Sequence, residues 1–477
     1  METSVFSDLI ADHLDIIRGT KGSGKSALYQ LVANFLSDHL LTDRRTVIIK
    51  AVETKGDPVF QQFQGDFDQF SETDFENFWR VYFISLITSQ FVSEDRFSHL
   101  MASAKAELRA FKKLAKEQNF PVKETKFSIV SLVAWAVSKV PRIKRVEAGV
   151  TPEATPQVAV EFAQAGEGAP ASAPIPLFVS ALHDQLIALL QRSGVRLWIM
   201  LDRLDEAFPR RSAVERKALR ALLRTTQAFK SDIVRLKIFL RDDIFDSVTD
   251  DAIGFVALSH VMSRCSPVLR WSKEQILQLV TNRIFSSETL RNFFGVEQRK
   301  LRLDERYRAE AFYKIFPRTL RAGSRQSSTL DWIYKHCEDS NGVVTPRDVI
   351  DLINAAKHKQ WEMFQTHRGG TAVSLLSTQA VLQGHMEMSK KKKETYLKAE
   401  FKHFWPMIKR FENQKAEHDD ASLRALLGKD YIRLQDLRSI GFLKENPAAG
   451  THSIPFLYRP GLSIRQGKSI GRNDRKS

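Results

Sequence analysis

The feature that most restricts what this chain can fold into lies near its start. Residues 19–26 read Gly-Thr-Lys-Gly-Ser-Gly-Lys-Ser, an instance of G-x-x-x-x-G-K-[ST]. Gly19, Gly22 and Gly24 allow backbone dihedrals that side-chain-bearing residues resist, so successive N–H groups can converge on an anion. A helix starting directly after such a loop adds its positive end. In this pattern the N–H groups of Gly19, Thr20, Lys21, Gly22, Ser23, Gly24, Lys25, Ser26 and Ala27 are candidates to cradle a phosphate chain. Lys25 reaches its outer phosphates and Ser26 ligates Mg2+.

The loop requires a strand before it and a helix after it. Leu14 to Ile17 reads as a short strand, with a helix over Val5 to His13 ahead of it. Lys25 to Asp38 carries Leu28, Leu31, Val32 and Phe35 at helical spacing. The alternation continues with a strand at Thr46 to Val52 and helices at Phe75 to Val92, Ser103 to Lys116 and Ser128 to Lys139. After these come a helix at Phe178 to Arg192, a strand at Val195 to Leu201, a helix at Ala213 to Phe229 and a strand at Val234 to Leu240. A short strand at Val268 to Trp271 precedes a helix at Ser272 to Phe285. Strands alternating with helices predict an α/β fold, a parallel sheet covered on both faces. Beyond this point the pattern is mostly helical, with strand-like runs near Ile454 to Leu457.

The second chemical signal is Val195-Arg-Leu-Trp-Ile-Met-Leu201 followed by Asp202-Arg-Leu-Asp205-Glu206. An apolar run this dense makes a buried strand, and ligands of open α/β sheets bind at the carboxyl ends of strands. Asp202 is placed to hold Mg2+ together with Ser26. Glu206 or Asp205 is the candidate base for an attacking water. Arg241, at the end of the strand Leu236-Lys-Ile-Phe-Leu240, stands where a side chain can sense a terminal phosphate; pairing with Asp242 or Asp243 is the alternative. Thr345-Pro346-Arg347-Asp348 reads as a capped helix start. Arg347 in that first turn opposes the helix dipole, which suggests contact with the nucleotide.

Composition narrows the class. With 43% hydrophobic and 27% charged residues the chain is ordinary for a globular protein. Cys265 and Cys337 match no metal-ligand spacing, so unpaired thiols in a reducing cytoplasm are expected. No basic-then-apolar leader is visible, and the apolar stretch Phe127 to Ser138 is 12 residues, too short to span a bilayer. From Val146 to Gln191 there is no Lys or Arg, and 149–176 holds Pro152, Pro156, Pro170, Pro174 and Pro176 among many Ala and Gly. Such a segment buries little and reads as a loop inserted within a domain. Net charge is +16, of which +10 falls from Lys390 onward. That basic region is a candidate nucleic-acid surface or a solvated basic face with a tail.

These residues together resemble a P-loop ATPase of the STAND/KAP group: the loop R-G-T-K-G-S-G-K-S-A (Arg18 to Ala27), a Trp-bearing helix, L-D-R-L-D-E, F-L-R-D-D-I-F and T-P-R-D-V-I. The resemblance runs from Leu14 to His358. It implies a P-loop NTPase sheet with an extra strand between the loop strand and the Asp202 strand, and Val234 to Leu240 as the sensor strand. It makes 94–177 a helical insertion ending in the Pro/Ala-rich loop, within a core of 1–285. A helical lid domain over 286–370 and a basic C-terminal domain over 371–477 follow. Leu423 to Leu462 reads helix, helix, then a turn and apolar strand similar to a winged helix. The implied activity is Mg2+-dependent ATP binding and hydrolysis driving a conformational or assembly switch in defence or signalling, with a homo-oligomer or protein partner. Arg210, Arg211 and Arg264 are candidates for arginine fingers. The alternative is an ATP-gated nucleic-acid-binding protein, with Lys390 to Lys393 and the helix Glu394 to Phe411 at the contact.

Overall fold

A computed structural model describes residues 4–36, 46–52, 67–68, 70–92, 97–117, 175–204, 212–229, 232–249, 255, 258–320, 326–366 and 374–469. The expected helix at 128–139, most of the Pro/Ala-rich loop, and Asp205, Glu206, Arg210 and Arg211 lie outside these residues. The chain forms two compact units: one of residues 2–20 and 25–269, the other of residues 21–24 and 270–477.

The first unit is α/β. Its elements are α1 (Ser4–Ile10), β1 (Ile16–Gly19), α2 (Lys25–Gln30, continued by a π-helical turn, Leu31–Leu36), β2 (Thr46–Val52), α3 (Glu72–Ile87, continued by Thr88–Val92), α4 (Lys105–Glu117), α5 (Ile175–Ser193), β3 (Arg196–Leu201), α6 (Ala213–Ala228), β4 (Val234–Arg241), α7 (Asp242–Thr249) and α8 (Leu258–Met262). The four strands are all parallel in the order β1-β4-β3-β2. β4 therefore lies between the loop strand and the Asp202 strand. Ile16 and Gly19 also form single parallel bridges to Cys265 and Leu269 on the outer side of β1, so the short strand expected at Val268 to Trp271 is reduced to a bridge.

Packing follows the sequence pattern. β3 and β4 are buried along nearly their whole length, as strands covered on both faces must be. Helix α3 starts with a capping box between Ser71 and Asp74 and buries Phe75, Phe78, Trp79, Tyr82 and Phe83. Trp79 donates its indole N–H to the Ala218 carbonyl at 2.8 Å, and Tyr82 bonds the Ala51 carbonyl, which removes the cost of burying their polar atoms. Ahead of β1, an ionic cluster fills the far end of the sheet. Fully buried Lys237 donates to Asp12 at 2.5 Å, to the Leu14 carbonyl at 2.6 Å and to Asp15 at 3.0 Å. Arg264 bonds Asp15 at 2.5 Å and also Asp12, contacts within its own unit.

The second unit is mainly helical: α9 (Lys273–Ile284), α10 (Glu288–Phe294), α11 (Gln298–Leu303), α12 (Glu305–Ile315), α13 (Thr329–His336), α14 (Pro346–Thr366), α15 (Thr378–Lys392, continued by Lys393–Lys398), α16 (Trp405–Lys409), α17 (Asp420–Leu427) and α18 (Leu434–Ser439). One apolar cluster runs through it from Trp271 to Leu462. α14 and α15 pack closely: a Cβ on Gly384 would lie 2.7 Å from the Leu352 carbonyl oxygen. Strands β5 (Lys415–Asp419), β6 (Lys444–Asn446), β7 (Thr451–Ser453) and β8 (Arg465–Ser469) form a sheet in the order β6-β7-β5-β8.

Two expectations in this unit are corrected. The helix expected over Glu394 to Phe411 breaks between Lys398 and Trp405, because Pro406 lacks the N–H that would continue the helix and sits instead at the start of α16. The strand expected at Ile454 to Leu457 stops at Ser453, since Pro455 cannot donate to a ladder. In the lysine run, Lys390 pairs with Glu387, Lys391 with Asp351, Lys392 with Asp348, and Lys393 with Glu394 and Glu412.

Candidate phosphate-binding site

The register of the first unit's sheet assembles the site. Gly19, the last residue of β1, stands beside Arg241, the last of β4. Leu201, the last of β3, stands beside Ile238 of the same strand. The loop, Asp202 and Arg241 thus emerge at the carboxyl end of one sheet, although the sequence separates them widely.

Lys25 opens α2 and is 8% exposed; its ammonium turns back onto the carbonyls of Gly19 at 2.7 Å and Thr20 at 3.0 Å. The next residue, Ser26, hydrogen-bonds the Asp202 carboxylate. Burial pushes the Asp202 pKa up, against the opposing pull of Ser26, the Arg203 N–H and the Lys25 ammonium. Arg203 adopts a left-handed φ of +58° immediately after β3, a conformation that costs a non-glycine residue energy and that accumulates at functional turns. A hydroxyl and a carboxylate side by side next to a lysine are hard oxygen donors, the set that suits Mg2+ completed by phosphate oxygens. The Thr20 hydroxyl is buried without a hydrogen-bond partner, as a polar atom awaiting a ligand would be. The residues present therefore fit Mg2+ and a phosphate chain.

Arg241 is 8% exposed and lies in a two-pronged contact with Asp243, Nε at 3.0 Å and Nη2 at 2.9 Å. Of its two candidate carboxylates the structure selects Asp243. Asp242 is taken by Arg18, whose Nε lies 2.8 Å from it; the same guanidinium bonds Asp246 at 2.6 Å and stacks on Phe245 at 4.1 Å. Asp243 is thus one of the two partners the sequence offered for Arg241, whereas the contacts of Arg18 were not foreseen. Arg18 was in view as the first letter of R-G-T-K, but its partners lie more than two hundred residues on.

Lys21, Gly22, Ser23 and Gly24 group with the second unit. Gly22 and Gly24 have φ of +88° and +100°, so both glycines are conformationally required. A Cβ on Gly22 would lie 3.0 Å from the Cβ of Arg347 and 3.3 Å from the Thr345 hydroxyl. Arg347 is thus next to the loop it was expected to serve. Thr345 caps α14, exchanging bonds with Asp348. Lys21 pairs with Glu400. Trp271, another residue the sequence did not single out, donates its indole N–H to the Ser23 carbonyl at 2.7 Å. Asp205 and Glu206 are outside the described residues, so the structure gives the candidate base no position. Comparison with protein-family models, curated proteins and solved structures found no match to this chain.

Proposed function

We propose that this chain is a P-loop ATPase of the STAND/KAP-like kind, binding ATP with Mg2+ and hydrolysing it as a switch of conformation or assembly. The observation that carries this reading is the meeting of Ser26 and Asp202 beside Lys25 at the carboxyl end of a parallel sheet. The strand β4 between the loop strand and the acid strand also supports it, since the family resemblance implies a strand in that place. Two cysteines without a disulfide suit a cytoplasmic setting.

The chemistry needed is positioning and charge neutralisation, with no covalent intermediate. Ser26 and Asp202 would hold Mg2+, which supplies charge neutralisation at the outer phosphates. The loop N–H groups orient the phosphate chain, and Lys25 exchanges its carbonyl contacts for phosphate oxygens. Glu206, or Asp205, accepts the proton of the attacking water. Arg241 leaves Asp243 to meet the charge developing on the terminal phosphate. Glu206→Gln is expected to retain ATP binding and lose turnover, measured by phosphate release. Unchanged turnover would move the base elsewhere.

A second reading, ATP-gated binding of nucleic acid, draws on the C-terminal unit. α16, β5, α17, α18, β6, a turn and β7 follow in the order of a winged helix, with β7 pairing antiparallel to both β5 and β6. The charge does not favour it. Residues 415–453 contain six Lys or Arg and six Asp or Glu. Arg433 and Arg438 are further tied to Asp436 and Glu445. Gel shifts of the full chain over a salt series decide: strong salt-dependent binding would favour this reading.

A further inference from the structure

We propose that Trp271 is a positioning residue that fixes the crest of the phosphate loop and so sets its affinity for a phosphate chain. The proposal rests on the nucleotide reading above and extends it to a residue outside the motif. Three contacts carry it. The buried indole N–H of Trp271 donates to the Ser23 carbonyl at 2.7 Å. The indole ring lies 3.4 Å from where a Cβ on Gly24 would stand, so ring and glycine are matched in shape. The Trp271 carbonyl in turn accepts the Tyr334 hydroxyl at 2.8 Å, and the next residue, Ser272, starts α9 with a capping box to Gln275. The tryptophan is therefore itself held on both sides.

The physical consequence follows from the peptide plane. The Ser23 carbonyl and the Gly24 N–H belong to one planar trans peptide and point in opposite directions. Pinning the carbonyl toward the indole aims the Gly24 N–H away from it and removes a rotation that a glycine-flanked peptide would otherwise retain. Phosphate recognition by such loops depends on convergent N–H groups. A donor aimed in advance binds more tightly than one that must be ordered on binding. Ser23, 1% exposed with its own hydroxyl unpartnered, is buried in the same place.

The test uses the full chain and Mg2+-ATP. Trp271→Phe keeps a ring against Gly24 and deletes the donor. Loss of one buried hydrogen bond is expected to weaken ATP binding between about 3- and 10-fold. Because that variant can also disturb packing, the second variant carries 3-benzothienylalanine at position 271, isosteric with tryptophan but with sulfur in place of N–H; the same weakening is expected. A spectroscopic readout separates positioning from mere structure. In protein labelled with 5-fluorotryptophan, the 19F resonance missing from Trp271→Phe should shift when ATP saturates the wild type. ATP affinity unchanged in both variants, or a 19F resonance that stays still at saturation, overturns the proposal. Lys25→Ala is run alongside. If it loses ATP while both Trp271 variants bind like wild type, only the role of Trp271 fails. If the wild type binds no ATP, the site reading and this proposal fall together.

Discussion

In the proposed site Asp202 is asked to do two opposed things. Its carboxylate is buried, so the ionised form is disfavoured and its pKa raised, yet a metal ligand must be ionised. A carboxyl with a raised folded pKa favours folding below its unfolded value, and that contribution is lost as pH rises through the folded pKa. At pH 7 the ionised Asp202 therefore weighs against stability. Asp202→Asn is expected to leave the melting temperature of nucleotide-free protein at pH 7 unchanged or higher while abolishing the Mg2+ dependence of ATP binding. A clearly lower melting temperature would contradict this. The meeting of Lys25, Ser26 and Asp202 was legible in the sequence because a G-x-x-x-x-G-K-[ST] loop and an apolar strand ending in Asp are local patterns of residue type and spacing. The contacts of Trp271 and Arg18 were not, since each is made with partners set by tertiary packing. Nothing in their local sequence distinguishes them from core or surface residues.

Elements were legible where periodicity and caps agreed. The strand at Thr46 to Val52 and the helix from Ala213 fall where the sequence places them, and in the structure Ser212 caps that helix. The failures cluster at Pro406 and Pro455, where a backbone lacking an N–H overrode an apolar run. Caps make a direct prediction: Ser272→Ala should cost about 1 kcal/mol of stability, read by urea unfolding, and a neutral result would deny that the capping box matters. The ionic cluster joining the segment before β1 to β4 makes another. Burial raises the Asp15 pKa, but hydrogen bonds and charge from Arg264 and Lys237 outweigh it and hold it below the ordinary value. Its contribution is therefore present above the unfolded pKa of 3.8 and is lost as pH falls through the folded value. Asp15→Asn should destabilise at pH 7 by roughly 3 kcal/mol, with the difference from wild type shrinking in acid. A difference independent of pH would show that the charge is not responsible.

At the scale of the molecule, charge and sheet order separate what sequence can and cannot convey. The count of +10 after Lys390 is correct, but pairing is a property of the fold, and the lysine run finds acidic partners as far back as Asp348 and Asp351. One half-buried acid gives the C-terminal unit its own pH response. Burial raises the Asp339 pKa to about 6, and both N–H groups it accepts, from Asn341 and Val343, reach the same oxygen at 2.9 Å. Stability should fall as pH rises from about 4 to about 6, and Asp339→Asn, which keeps that oxygen, should raise the melting temperature at pH 7. A lower melting temperature would contradict this.

The parallel order with β4 between the loop strand and the acid strand makes the central claim possible: one site built from Lys25, Ser26 and Asp202. Calorimetric titration of ATP into wild type and Lys25→Ala, each with and without Mg2+, tests that claim most directly. The expected result is saturable, Mg2+-dependent binding of one ATP per chain, weakened roughly 100-fold or more in Lys25→Ala. Equal affinity in wild type and variant, or a wild type that takes up no ATP, would contradict it.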